Sequence, residues 1–226
     1  MITTDQAIKI IKNFCENNDV PLYGTCSIDG LKDRFYLTPQ ELEGLTHAIS
    51  LAVPLSEAVL NGIVDQPTLL YQWHYRQANI QLDKLAFLLT IKIQEAGYRA
   101  LPIAASQVID WHKHIGHVSH RHVAVKAGLG WLGRNNLLVT KKYGAQVRLV
   151  TILTNLPLPE AVEQEFQCDE CYACVHTCPA NAIGNQASEH NFEKCFELLD
   201  FFCKKKKMNL HICGICVKAC KGGKIK

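Results

Sequence analysis

The chain has little net charge and no long hydrophobic run. Its formal charge is +3 over 226 residues, which is too small to indicate nucleic acid binding, because sequence-independent binding needs a concentrated basic surface. No apolar stretch approaches the roughly 20 residues that a membrane helix requires. With 48% hydrophobic and 20% charged residues, the composition predicts a soluble globular protein without a membrane partner.

The beginning of the chain lacks the features of a secretory signal. The stretch MITTDQAIKI has no basic segment, no long apolar segment and no small-residue cleavage site. We therefore expect a cytoplasmic protein. Thiols stay reduced in that compartment, so the eleven cysteines are not expected to form a disulfide framework.

Acidic residues are absent between Asp110 and Glu160, and this absence bears on the motif GLGWLG at residues 128–133. The motif matches the G-x-G-x-x-G fingerprint of dinucleotide-binding turns. Such a turn needs a strand before it, a helix after it and an acidic residue about 20 residues later to hold the ribose. Here no clear strand precedes the glycines, a strand-like segment follows them, and the acid is missing. We therefore predict that the glycines serve a tight turn or another close backbone approach, and not a nucleotide.

Hydrophobic periodicity and turn residues predict a mixture of helices and strands. Helices are expected at residues 3–18, from the capping box at 38–41, and from 65 to 97. Strands are expected at residues 48–53, 98–103, 136–140 and 147–153, and the last two are predicted to pair as a hairpin. The stretch NLPLPEAVEQE predicts a linker, so we expect one domain over residues 1–160 and a second over residues 161–226.

Nine of the eleven cysteines follow residue 167, and most of them have the spacing of iron–sulfur ligands. The stretch CDECYACVHTCP has the C-x2-C-x2-C-x3-C-P pattern of bacterial [4Fe–4S] ferredoxins, whose fourth cysteine ligates the other cluster of a pair. A second set does follow, in Cys195 and the stretch CGICVKAC. We predict one cluster on Cys168, Cys171, Cys174 and Cys220 and another on Cys178, Cys195, Cys213 and Cys216.

Zinc is the alternative occupant of these motifs, because C-x2-C pairs also form tetrahedral zinc sites. Four cysteines in one tight run followed by Pro179 are unusual for zinc and favour iron–sulfur clusters. Lys221 follows Cys220 where ferredoxin-like motifs have proline, so an incomplete or labile second cluster is a further alternative. Cys203 is left over, and we expect it to pack as an ordinary side chain.

A family resemblance rests on three features in a shared order. The stretch KAGLGWLGRNNLLVT, then KYGAQVRLVTILTNLPL, then the paired cysteine motifs resemble epoxyqueuosine reductases over roughly residues 45–220 and, more distantly, reductive dehalogenases. The resemblance implies an α+β fold, in which a nitroreductase-like α/β/α cobalamin-binding core precedes a small ferredoxin-like domain with two [4Fe–4S] clusters. It also implies that the clusters pass electrons to a base-off corrinoid that reduces a substrate.

The resemblance further implies residues and partners for the corrinoid chemistry. The corrinoid-binding residues that it implies are Gly128, Leu129, Gly130, Trp131, Gly133, Asn135 and His120. The implied partners are a small-molecule or nucleoside substrate and an electron donor such as a ferredoxin or flavodoxin. A tRNA partner is an option that the low charge of this chain does not support. For the loop, a plain turn with Trp131 in the core is the alternative.

The sequence departs from the family at the acidic residue that protonates the substrate. Ungapped alignment puts His114 at that place and alignment on LPIAAS puts Ala105 there, so reduction of the epoxide in a tRNA nucleoside is in question. The stretch DWHKHIGHVSHRH supplies five histidines instead, as proton donors, as metal ligands or only as a polar segment. The candidate catalytic residues are His114, His117 and Asp110.

Three functions are compatible with these features. The leading prediction is a cobalamin-dependent iron–sulfur oxidoreductase of the epoxyqueuosine reductase type, whose substrate is open. The second is a ferredoxin-type electron-transfer protein that reduces another protein's corrinoid or redox centre. The third is a module that binds or stores a corrinoid. Retention of a corrinoid separates the first from the second, and turnover of a substrate excludes the third.

Overall fold

A computed structural model describes residues 2–111, 115–206 and 208–222 as a mixed α+β fold. Its helices are α1 (Thr4–Asn17), α2 (Pro39–Leu42), α3 (Glu57–Asn61), α4 (Leu69–Glu95), α5 (His120–Lys126), α6 (Ala173–Thr177), α7 (Phe192–Lys205) and α8 (Ile215–Ala219). Its strands are β1 (Leu22–Ser27), β2 (His47–Pro54), β3 (Ala100–Ile103), β4 (Trp131–Leu132), β5 (Leu138–Val139) and β6 (Val147–Thr154).

The helix signals in the sequence are confirmed at three places. Thr3 caps α1, and its hydroxyl accepts from the backbone N–H of Gln6 at 3.2 Å. Thr38 and Glu41 form a capping box at the start of α2, in which the side chain of each accepts from the backbone N–H of the other. The box satisfies backbone donors that have no partner inside the helix. The long helix α4 lies within the predicted range and ends just before Gly97, which has a positive φ of 84°.

The chain forms two compact units, and each is assembled from separate stretches of sequence. The first unit comprises residues up to Val53, Asn79–Leu129 and Arg148–Gln164, and the second comprises Pro54–Ala78, Gly130–Val147 and the chain from Glu165 on. Residues within each unit pack mainly with one another. The prediction of two domains that meet near residue 160 stays a prediction.

The first unit is built on a four-stranded sheet in the order β1-β2-β6-β3. Strand β2 pairs antiparallel with β1, and β6 pairs antiparallel with β3. Apolar side chains of the sheet pack with those of α1 and α4 in one core, in which the largest fully buried members include Ile11, Ile49, Leu82, Leu89, Ile93 and Ile152. Burial of this apolar area is the main force that stabilises the unit.

The predicted hairpin between residues 136–140 and 147–153 is wrong. Strand β5 pairs with β4, so that Trp131 faces Val139, while β6 joins the four-stranded sheet. The reason lies at Gly130, where a Cβ atom would lie 2.0 Å from the carbonyl oxygen of Val139. Only glycine permits this approach, and it brings the glycine-rich loop to β5. Strand β6 is apolar along most of its length, which suits a strand with neighbours on both sides.

Among the residues that the structure describes, no helix is long and apolar enough to cross a membrane.

Candidate functional site

The glycine-rich loop has the opposite surroundings to those of a dinucleotide-binding turn. Helix α5 precedes the loop, β4 lies within it and β5 follows it, whereas a nucleotide turn requires a strand first and a helix second. The prediction that these glycines do not hold a nucleotide agrees with this order. Gly128 has a φ of 73° and lies next to Ala161, and Leu129 packs beside Gly24 of β1, all within the first unit.

The remainder of the loop lies against the first cysteine motif, within the second unit. Trp131 is buried, and its indole Nε1–H donates to the Sγ of Cys168 at 3.4 Å. At Gly133, a Cβ atom would lie 3.7 Å from the same sulfur and 3.0 Å from the Oδ1 of Asn135. Asn135 is 4% exposed, and its Nδ2 has no hydrogen-bond partner among the described residues.

Arg134 is a residue of this loop that sequence reasoning missed. Its guanidinium donates to the carbonyl oxygens of Asp169 at 2.7 Å and of Cys171 at 3.1 Å. It also lies over the ring of Tyr172, 4.2 Å from the ring centroid, and 5.3 Å from that of Phe166. Arg134 is 5% exposed, and no signal in the sequence indicates its burial or its position beside the first cysteine motif.

The first set of thiols brings together cysteines from both motifs. Burial, with the nearby thiols of Cys220, Cys168 and Cys171, raises the pKa of Cys174 to about 11. Burial also raises the pKa of Cys220, and Cys168 and Cys171 act on it in the same direction. The backbone N–H groups of Gly222 and Ala145 donate to Cys220 and oppose this increase. The four cysteines predicted for the first cluster are therefore electrostatic neighbours.

The second set also combines the two motifs. Burial and the thiol of Cys178 raise the pKa of Cys195, and burial with Cys195 and Cys178 raises that of Cys213 to about 11. At Cys216, burial first and then the thiols of Cys213, Cys195, Cys174 and Cys178 raise the pKa well above the ordinary value. The backbone N–H of Ala182 donates to the Sγ of Cys178 at 3.4 Å.

The grouping of these thiols and their hydrogen bonds match the ligands of iron–sulfur clusters. Eight buried or half-buried thiols in two groups, with N–H donors aimed at several sulfurs, match the thiolate ligation and N–H···S hydrogen bonding of iron–sulfur proteins. Among the described residues, no three Cys, His, Asp or Glu side chains converge as a site for a single metal ion. A [4Fe–4S] cluster differs from a single ion, because its four thiolates bind separate iron atoms at its corners and do not converge on one point.

Basic side chains fix the second motif where proline is missing. Lys218 donates its Nζ to the carbonyl oxygens of Asn61, at 3.2 Å, and of Ile63. Lys221 takes the position after Cys220 and forms an ion pair with Glu57 at 2.7 Å. Contacts of Lys218 and Lys221 with α3 and the residues after it therefore hold the end of α8, where the ferredoxin pattern has proline.

The histidine-rich segment is described only in part. Asp110 and Ile115 form an antiparallel bridge, and residues 112–114, which include His114, lie outside the described residues. The carbonyl oxygen of His117 accepts from the backbone N–H of Tyr36 at 2.8 Å. The roles of His114, His117 and Asp110 as proton donors stay predictions.

His120 is held by its own unit at both ring nitrogens. Its Nε2 lies 2.9 Å from the carbonyl oxygen of Ala104, and its Nδ1 lies 2.8 Å from the hydroxyl of Thr151. A carbonyl only accepts, so Nε2 carries the proton and Nδ1 accepts from Thr151. Burial lowers the pKa of His120 to about 4, against the raising effect of the Ala104 carbonyl. The ring is neutral near pH 7, and a metal would have to displace one of these two contacts.

The chain is similar in sequence to several curated epoxyqueuosine reductases. No protein-family model matches the chain. The epoxyqueuosine reductase of Aliivibrio fischeri is 36% identical over 103 residues, which are 46% of this chain and 25% of that protein. The epoxyqueuosine reductase of Listeria monocytogenes is 30% identical over 143 residues, 62% of this chain and 35% of that protein. The matched parts span about a quarter to a third of these curated relatives.

Solved structures extend the likeness over nearly the whole fold. A crystal structure of an epoxyqueuosine reductase with an epoxyqueuosine-modified tRNA stem loop matches 97% of this chain and 67% of its own, with a TM-score of 0.62 and 22% identity. A reductive dehalogenase structure associated with B12-dependent dehalogenation matches 89% of this chain and 29% of its own, with a TM-score of 0.69 and 20% identity. In sequence the chain is thus related to the epoxyqueuosine reductase family, and its mixed α+β fold is similar to the folds of epoxyqueuosine reductases and reductive dehalogenases.

Proposed function

We propose that the chain is a cytoplasmic reductase of the epoxyqueuosine reductase type, in which two [4Fe–4S] clusters deliver electrons to a base-off cobalamin. The observation that carries the proposal is the grouping of eight cysteines into two crossed sets, each with members from both motifs. The relatives that the chain matches are reductases by name, and this supports a reductase over a structural zinc protein.

The cysteines of the second unit would hold the clusters as thiolates. Burial raises the pKa values of several of these thiols, so iron must favour the deprotonated form for them to ligate. The influence of Cys174 on Cys216 indicates that the two sets adjoin, as transfer of electrons from one cluster to the other requires. The clusters supply one-electron transfer at low potential, and cobalamin supplies a cobalt centre that can be strongly reduced.

The glycine-rich loop would supply corrinoid contacts. Asn135 supports this proposal, because a buried amide Nδ2 without a partner among the described residues is suited to an acceptor on a ligand. Trp131, Gly133 and the other loop residues named from the resemblance are proposed on that resemblance. His120 would act as a neutral, fixed side chain next to β6, since both its nitrogens are engaged.

The substrate would be a small molecule or a nucleoside, with protons from Asp110, His117 or His114. A solved relative holds a modified tRNA stem loop, so a tRNA nucleoside is the first substrate to offer. A ferredoxin or flavodoxin would supply the electrons.

The test is reconstitution without oxygen. The purified protein is supplied with iron, sulfide and hydroxocobalamin, freed of unbound cofactor, and analysed for metals and by optical spectroscopy. About eight iron atoms, as two clusters require, with one base-off corrinoid per chain are expected. Turnover of epoxyqueuosine-containing stem loops under a low-potential reductant then tests the substrate.

An electron-transfer protein is the second candidate function. It is favoured by the glycine-rich loop, where neighbours within the chain already account for Gly128, Gly130 and Gly133. Eight iron atoms without a retained corrinoid would select this function and remove cobalamin from the account. A protein that binds zinc and no iron would contradict both candidates.

A further inference from the structure

The loop from Trp131 to Asn135 contacts the first cysteine motif through the side chains of Trp131 and Arg134. Trp131 donates its indole N–H to the Sγ of Cys168 at 3.4 Å. Trp131, Val139 and Ala145 form a small apolar cluster, against which Cys168 and Cys220 pack. Two proposed ligands of one cluster therefore rest on the same hairpin.

Arg134 adds a positive charge to the same place. It holds the carbonyl oxygens of Asp169 and Cys171, which belong to the turn between two proposed ligands. The guanidinium is 5% exposed and lies over the ring of Tyr172. A charge at this depth is poorly screened by water, so its field acts strongly on nearby groups.

Both contacts act on the reduction potential in the same direction. When a [4Fe–4S] cluster accepts one electron, it becomes more negative, no covalent bond forms or breaks, and the electron comes from a low-potential donor. A hydrogen bond to a ligand sulfur and a nearby cation each stabilise the more negative state, so they raise the reduction potential.

We propose that the loop Trp131–Asn135 sets the reduction potential of the cluster on Cys168, Cys171, Cys174 and Cys220. Trp131 does so through its N–H···S hydrogen bond and Arg134 through its buried charge, as positioning residues that do not ligate iron. The inference rests on the proposed function, because it requires that the cysteines hold two clusters. It assigns to the glycine motif a role at a cluster: Gly133 lies beside the sulfur of Cys168, and its lack of a side chain makes room for the side chains of Val139 and Asn135.

The experiment is a redox titration of the whole, reconstituted protein, followed by electron paramagnetic resonance. Trp131→Phe removes the N–H and keeps an aromatic ring, and Arg134→Gln removes the charge. At a fixed potential, each variant is expected to lower the ratio of reduced to oxidised first cluster by about tenfold, which corresponds to about 59 mV for one electron. The second cluster in the same molecules serves as the internal reference and should shift less than about twofold.

Two further variants separate charge from folding. Arg134→Lys keeps the charge, so its ratio should stay within about threefold of the wild-type ratio. Asp169→Asn removes an exposed charge from the same turn, and water screens such a charge, so it should change the ratio by less than about twofold. If Arg134→Gln does not retain iron, Trp131→Phe and Arg134→Lys carry the test.

The outcomes distinguish this inference from the proposed function. A wild-type protein that does not hold two clusters contradicts the proposed function itself. Wild type with two clusters, together with a Trp131→Phe variant that retains its iron and has an unchanged ratio, overturns the inference alone. A uniform shift of both clusters would also overturn it, since the loop contacts that carry the inference, as seen in the described part of the chain, are with the first set and its turn.

Discussion

Buried cysteines in the two compact units have different surroundings. In the first unit, Cys15 and Cys26 are each 1% exposed. Burial raises the pKa of each to about 12. Cys15 packs in the apolar core, and Cys26 makes a long contact of 3.8 Å with the carbonyl oxygen of Val123. In the second unit, buried thiols face other thiols and backbone N–H donors. Burial makes a cysteine inert, whereas burial shared with other thiols and with donors makes it suited to bind metal.

The largest effect is expected from a pair of substitutions, one in each unit. Cys216→Ser removes a thiol of the second set that has other thiols as neighbours, so bound iron should fall from about eight to about four atoms per chain. Cys15→Ala removes a thiol that is 1% exposed and packs in the apolar core of the first unit, so iron should stay near eight and stability should fall slightly. Iron and sulfide analysis after anaerobic purification measures both. Equal iron in the two variants would contradict the comparison.

The crossing of the two motifs has an equally sharp test. Cys178→Ser changes the last cysteine of the first motif but is expected to remove only the second cluster, because Cys178 is a neighbour of Cys195 and Cys213. Cys220→Ser should remove only the first. Electron paramagnetic resonance of the reduced variants shows which signal is lost. Loss of the first-cluster signal in Cys178→Ser would mean that each motif binds its own cluster.

Acid should destabilise the first unit through His120. The ordinary pKa of 6.5 applies to the unfolded chain, and the folded value is about 4. The unfolded chain therefore binds more protons between these values, so the stability from the neutral ring is present above pH 6.5 and is lost as pH falls toward 4. Between pH 7 and pH 5 the loss is about 2 kcal/mol.

The measurement is the denaturant midpoint against pH for wild type and His120→Gln, followed by circular dichroism. Gln can still donate to the Ala104 carbonyl but does not titrate, so the variant should have a smaller decrease between pH 7 and pH 5. Parallel curves for the two proteins would show that His120 is not kept neutral by its surroundings.

Smaller effects are expected at the two lysines that hold the second motif. Lys218→Ala leaves two backbone carbonyls without their charged donor and should cost about 1–2 kcal/mol of stability. Lys221→Ala breaks an ion pair whose Glu57 side chain is 64% exposed and should cost less than about 0.5 kcal/mol. Denaturant midpoints of the two variants give the comparison, and a larger cost for Lys221→Ala would reverse the assigned roles.

Local signals in the sequence predict local structure here, and they do not predict partners across the chain. The capping box at Thr38, the long helix α4 and the order of elements around the glycines follow from short patterns. The pairing of β5 with β4 depends on an approach of Gly130 to Val139 that hydrophobic alternation does not reveal. Strand pairing depends on tertiary contacts, and for this reason the predicted hairpin between residues 136–140 and 147–153 was wrong.

The candidate site divides in the same way. Cysteine spacing selects the eight thiols that we propose as ligands, because cluster ligation demands fixed intervals. The contacts of Arg134 with the turn after Cys168, and of His120 with Thr151 and Ala104, join residues more than ten positions apart. No spacing rule reports such contacts, and both therefore required the structure.

The most direct test of the account is the iron content and cluster type of the wild-type protein, purified without oxygen and analysed by Mössbauer and electron paramagnetic resonance spectroscopy. The account predicts about eight iron atoms and eight sulfides per chain, as two [4Fe–4S] clusters, with magnetic interaction between the reduced pair. Stoichiometric zinc with no iron, or iron that gives one cluster only, would contradict the two crossed sets on which the proposed function depends.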